Sequence, residues 1–111
     1  MINKSLKSDL QYNKIIKSSL IILILLNLID AFATLYWVSN GIALEANPIM
    51  ETLLTIGPIP FLFIKLFLVF CGCWLFWIHR KHNLTKISIF ILLFVYIFVI
   101  IKHVNILIEI L

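Results

Sequence analysis

Five side chains in this sequence have the chemistry to act together: Asp30, Glu45, Asn47, Lys65 and His103. Asp30 stands inside a run that is otherwise apolar enough to cross a bilayer. A carboxylate at that depth costs about 3 kcal/mol or more, so it is rare without a partner or a use. Asp30, Glu45 and Asn47 offer hard oxygen ligands for a cation. Lys65 and His103 can alter the local charge by gaining or losing a proton. Asp30, Glu45 and His103 together also form a candidate set for a divalent metal ion.

Polar companions accompany these five. Asn27, Asp30 and Thr34 fall at i, i+3 and i+7, which puts them on one stripe of a helix. Tyr96 and His103 share a face of the last apolar run, while Lys102, Asn105 and Glu109 share another. A plain ion pair between Asp30 and Lys65, supported by Asn27 and Thr34, would compensate the buried acid. It would leave Glu45, Asn47 and His103 without a role.

These residues have to be positioned by an all-α chain. Of its 111 residues 63% are hydrophobic and 13% charged, a balance far from that of a soluble domain. Three runs, 18–39, 59–78 and 87–110, are long enough to cross a hydrocarbon layer of roughly 30 Å. Residues 1–17 form a basic, weakly amphipathic lead-in ahead of a single transmembrane domain over 18–111. The lysine-rich start and Ala31-Phe32-Ala33 imitate a signal peptide, but apolar character continues through Leu35 to Val38, so the run reads as a retained span. Tyr36 and Trp37 read as an interfacial aromatic belt. Ala31 and Ala33 permit a close neighbouring helix.

Asn40-Gly41 marks a turn. Asn47 and Pro48 then read as the N-cap and first position of a short helix over 48–56, stopped by Gly57-Pro58. Nine residues are too few to span, so this helix is re-entrant or interfacial. Cys71 and Cys73 point to different sides of a helix and suit packing, not a disulfide or a redox pair. His79 and His82 read as solvated charges of the turn between the second and third spans.

Nine Lys and Arg against five Asp and Glu give a formal charge of +4. Lys4, Lys7, Lys14 and Lys17 precede the first span and Arg80, Lys81 and Lys86 lie between the second and third, while the other loop has no Lys or Arg and carries Glu45 and Glu51. That is the distribution of a plasma-membrane protein with its N-terminus cytoplasmic and its C-terminus outside. It argues against nucleic acid as a partner. In this topology Asp30 lies near mid-depth and Lys65 and His103 in the outer half, with Glu45 and Asn47 just above.

The pattern D-A-x-x-T at Asp30, Ala31 and Thr34, then Gly41, then E-x-N-P-x-M at Glu45, Asn47, Pro48 and Met50, followed by Lys65 and His103, resembles an uncharacterised family. Its members are short prokaryotic multi-span membrane proteins carrying a domain of unknown function. The resemblance implies the same three-span plan and a shared polar site, and supplies no activity.

Three functions compete on these residues. The first is binding or conduction of a cation or small polar solute by a homo-oligomer, since three spans make a thin wall around a path. The second is an intramembrane enzyme acting on a lipid-linked substrate at the outer leaflet, with acid, histidine and lysine as acid–base groups. It has no P-loop, H-E-x-x-H or G-x-S-x-G to support it. The third is an assembly or immunity-type subunit whose polar stripes hold a partner membrane protein. Solute or ion handling is the reading expected here.

Overall fold

Nothing between Lys4 and Ser39 breaks a helix, since the stretch has neither Gly nor Pro. In the computed structural model, which describes residues 4–42, 44, 45 and 47–111, it is one continuous helix, α1 (Lys4–Ser39). Its 36 residues make it about 54 Å long, well beyond a hydrocarbon layer of roughly 30 Å. The lead-in is therefore not a separate segment, as expected, but the first turns of the spanning helix. Side chains pin it in place. The Tyr12 hydroxyl donates to the Arg80 carbonyl, and Arg80 Nε donates to Asn13 Oδ1 at 3.0 Å. The Arg80 guanidinium lies 4.3 Å from the centre of the Trp77 ring, and Lys86 lies 4.6 Å from that of Tyr12.

Three further helices follow: α2 (Pro48–Ile56), α3 (Pro58–Ile78) and α4 (Asn83–Ile110). Among the described residues there are no strands. Helices α1, α3 and α4 are long and apolar enough to cross a membrane. Helix α1 is the hub: it packs along both α3 and α4, and α2 packs on α3. One apolar cluster joins Ile16, Leu20 and Leu23 of α1 to Cys73 of α3 and Ile89 of α4. A second joins Ala31, Met50 and Phe61, so the small residue on α1 is where α2 and α3 come closest. Phe90, Phe94 and Phe98 are 73%, 70% and 65% exposed. A row of phenylalanines turned outward suits hydrocarbon, not water, as its surroundings.

The short helix forms as its sequence dictates. Asn47 Oδ1 accepts from the amides of Ile49 at 3.0 Å and Met50 at 3.5 Å, and Pro48 occupies the first turn, where no amide donor is required. At the other end Gly57 has φ 157° and ψ 170°, a region open almost only to glycine, and passes the chain directly into α3. That conformation sets the angle between α2 and α3. Gly57→Ala is expected to lower stability by about 1–3 kcal/mol. The measurement is the thermal midpoint of the detergent-purified protein, and an unchanged midpoint would mean the angle is held elsewhere.

Candidate functional site

The stripe on α1 that carries Asn27, Asp30 and Thr34 turns inward toward α3 and α4. Asn27 is 2% exposed, and the side chains of Asp30, Lys65 and His103 are each about 85% or more buried, at 13%, 14% and 15% exposure. Lys65 reaches from α3 to Asp30 Oδ2 in a direct ion pair. His103 reaches from α4, its Nε2 lying 2.8 Å from Asp30 Oδ1, and the Thr34 hydroxyl donates to the same oxygen at 3.5 Å. One carboxylate thus holds three helices together.

His103 has a second partner. Trp37 Nε1–H donates to His103 Nδ1 at 3.1 Å. An indole N–H can only donate, so Nδ1 must carry a lone pair. The ring proton therefore sits on Nε2 and points at Asp30. Both ring nitrogens are committed, and the imidazole is held neutral. The cluster then consists of one carboxylate, one ammonium and a neutral imidazole, and its formal charge sums to zero. This matters in a spanning segment, where an uncompensated charge is severely disfavoured.

One turn along α1 and two along α4, the Tyr96 hydroxyl donates to Asn27 Oδ1 at 3.0 Å. Glu45, in the loop before α2, accepts from the Asn47 amide at 3.1 Å. Two cavities flank the ion pair. One, of about 270 Å³, is lined by Asp30, Thr34, Glu45, Lys65, Lys102 and His103 together with apolar side chains. The other, of about 310 Å³, is lined by Asn27, Asp30, Glu45, Asn47, Lys65 and Tyr96 together with Met50, Leu68 and Val69. Asp30, Glu45 and Lys65 line both, so they form the partition between the two.

Of the residues expected at the site, Asp30, Lys65 and His103 meet directly, with Thr34 on the same carboxylate and Asn27 and Tyr96 paired beside them. Glu45 stands in the partition. Asn47 borders the second cavity, but its side-chain oxygen is spent on capping α2. Asn105 is exposed and lines neither cavity, because it projects from the other face of α4. The metal set Asp30, Glu45 and His103 is not assembled: among the described residues no three His, Cys, Asp or Glu are gathered to hold an ion. The physical reason is visible at Asp30, where an ammonium and an imidazole N–H already occupy the two oxygens.

Trp37 is the residue whose part in the cluster the sequence reading missed. It is 7% exposed and its indole is part of the cluster, while its neighbour Tyr36 is exposed. The signal was available, since Trp37 continues the Asn27, Asp30, Thr34 stripe by one more turn. Lys102, which snorkelling alone accounts for, also borders the first cavity.

Fold and site together define a class: an all-helical membrane protein of three candidate spans with a charge-neutral acid, ammonium and imidazole cluster buried among them. Within that class the chain belongs to the family described as Domain of unknown function (DUF5658), whose profile matches residues 21–109. The match takes in every residue of the cluster. No curated protein and no solved structure matches the chain.

Two measurements test the cluster. Lys65→Met leaves the Asp30 carboxylate buried and unpaired and is expected to cost about 3–5 kcal/mol, whereas Asp30→Leu added to Lys65→Met restores most of the loss. Denaturant unfolding in micelles reads both, and a single variant as stable as wild type would deny the pair its role. In ¹⁵N spectra His103 is expected as the Nε2–H tautomer. Trp37→Phe should shift the Nδ1 resonance as the indole hydrogen bond is lost, while Asp30 keeps the proton on Nε2, and an unchanged Nδ1 resonance would count against the indole contact.

Proposed function

We propose that this protein binds a cation or small polar solute in the outer half of the plasma membrane and passes it across as a homo-oligomer. The chain runs with its N-terminus cytoplasmic and its C-terminus outside. The observation that carries this reading is that the buried charges are not sealed. A purely structural ion pair is best served by close packing on every side. Asp30, Lys65 and His103 instead border a cavity of about 270 Å³ that Glu45 and Lys102 also line. Concave sites with a few convergent polar groups on mainly apolar walls are where small molecules bind.

Within this reading the geometry favours a polar solute over a bare cation. A cation seated on Asp30 would have to displace both Lys65 and His103, whereas a solute can hydrogen-bond at the edge of the cluster. An enzyme using His103 as general base is less well supported, because Trp37 and Asp30 occupy both ring nitrogens. A subunit that uses its polar stripe to hold another protein is also less well supported, since Asp30, Tyr96 and His103 find partners within the chain. The oligomer is favoured by the packing: α3 and α4 both lie on α1 and neither packs extensively on the other, which leaves the bundle open on one side.

The test is re-swelling of proteoliposomes after shock with potassium chloride, glycerol or glycine. Wild-type protein should speed re-swelling for at least one of these solutes, and Asp30→Asn should reduce that rate about tenfold. Rates equal to those of protein-free liposomes for all three would overturn the reading.

A further inference from the structure

The second cavity holds a feature that the cluster does not use. Asn27 lines it, is 2% exposed, and its Nδ2 has no hydrogen-bond partner among the described residues. A buried amide N–H without an acceptor costs about 1–3 kcal/mol. Replacing the asparagine by leucine would remove that penalty at similar volume, so an unsatisfied donor on a residue that lines a cavity marks a place where an acceptor belongs. Its Oδ1 is already fixed by Tyr96, which holds the amide in one orientation.

The other groups on this wall narrow the class of molecule. Lys65 has three N–H donors, of which Asp30 takes one. Glu45 accepts a local bond from the Asn47 amide through Oε1. The charged groups lining the cavity are Asp30, Glu45 and Lys65, a formal balance of one negative charge. An anion meets that surplus, and a bare monatomic cation offers Asn27 no acceptor. A molecule with an acceptor oxygen at one end and a cationic donor at the other answers both. The helix α2 amides add nothing, since Asn47 already caps those of Ile49 and Met50. A volume of about 310 Å³ lies at the small end of ligand sites.

We propose that the cavity between Asn27, Glu45 and Lys65 binds a small zwitterion of the amino-acid type, its carboxylate toward Asn27 and Lys65 and its ammonium toward Glu45. This rests on the polar-solute reading and names the solute class. The ion pair of Asp30 and Lys65 then lies on the wall shared by this inner cavity and the first, outer one.

The test is equilibrium binding of radiolabelled glycine to the full chain in detergent, beside its two halves, acetate and methylammonium. Glycine should bind saturably at millimolar concentration, and each half about tenfold more weakly, a difference of about 1.4 kcal/mol. Asn27→Leu should abolish binding. Glu45→Gln lies in a loop outside the packed helices and should weaken glycine about tenfold while acetate binds at least as well as to wild type. Asn105→Ala, remote from both cavities, should bind as wild type. Absence of saturable glycine binding, or halves that bind as well as glycine, overturns the proposal. If re-swelling with another solute still depends on Asp30, only the inner site falls, and the outer-cavity reading stands.

Discussion

A single carboxylate organises this molecule. Among hydrocarbon tails an apolar side chain gains little by choosing a neighbouring helix over lipid, so apolar content alone leaves each span free to rotate and slide. Asp30 removes that freedom. Its two oxygens face Lys65 of α3 and His103 of α4, and each contact fixes both the rotation and the depth of its helix against α1. The Asn27 to Tyr96 bond and the Trp37 to His103 bond repeat the constraint on α4 one or two turns away on either side. Helix α3 has only a weaker second polar tie to α1, the Cys73 thiol donating to the Leu20 carbonyl at 3.8 Å. Its outer end is held by the packing of Phe61 in one cluster with Ala31, where a larger residue on α1 would push the two apart.

Much of this was legible because polar residues are conspicuous in an apolar sequence. The spacing of Asn27, Asp30 and Thr34, the lone charge at Lys65 and the cap at Asn47 each had one straightforward reading, and the helices follow it. Other residues were not legible, for reasons that are also physical. Trp37 has the same chemistry in an aromatic belt as in a buried hydrogen bond, and only the position of His103 distinguishes the two. The lead-in carries enough lysine to suit a surface, and its docking depends on Tyr12 and Asn13 meeting Arg80, a contact far apart in sequence. A metal set can be composed from any three suitable side chains. Which lone pairs remain available is a property of the folded site, and at Asp30 both oxygens already have donors.

The loop and short helix between α1 and α3 bring in the charge that the spans do not supply. Asn47 and Gly57 close α2 at both ends without tertiary help, so α2 is a rigid block seated on α3 through Met50 and Phe61. Glu45 stands at the entry to that block and hydrogen-bonds to the amide of Asn47, the residue that caps it. The carboxylate is therefore tied to the start of α2 and held over the ion pair. This arrangement explains why a glutamate and an N-cap two residues apart accompany an acid placed a whole helix end away.

The neutrality of the cluster has a consequence for recognition. Because Lys65 balances Asp30 and Trp37 holds His103 neutral, the three central groups present little net field to either cavity. The charges that distinguish the cavities lie at their edges: Glu45 borders both, and Lys102 borders only the first. The first cavity is then balanced and the second carries a surplus negative charge. A solute moving from one to the other, as proposed above, would exchange the ammonium of Lys102 for the amide of Asn27, a strong cationic donor for a weak neutral one, while Glu45 and Lys65 stay within its surroundings. An anion loses by that exchange. In the reading proposed above, a molecule whose two ends are oppositely charged keeps both of its partners, and the shared wall of Asp30, Glu45 and Lys65 would then discriminate by the distribution of charge within a solute more than by its sum.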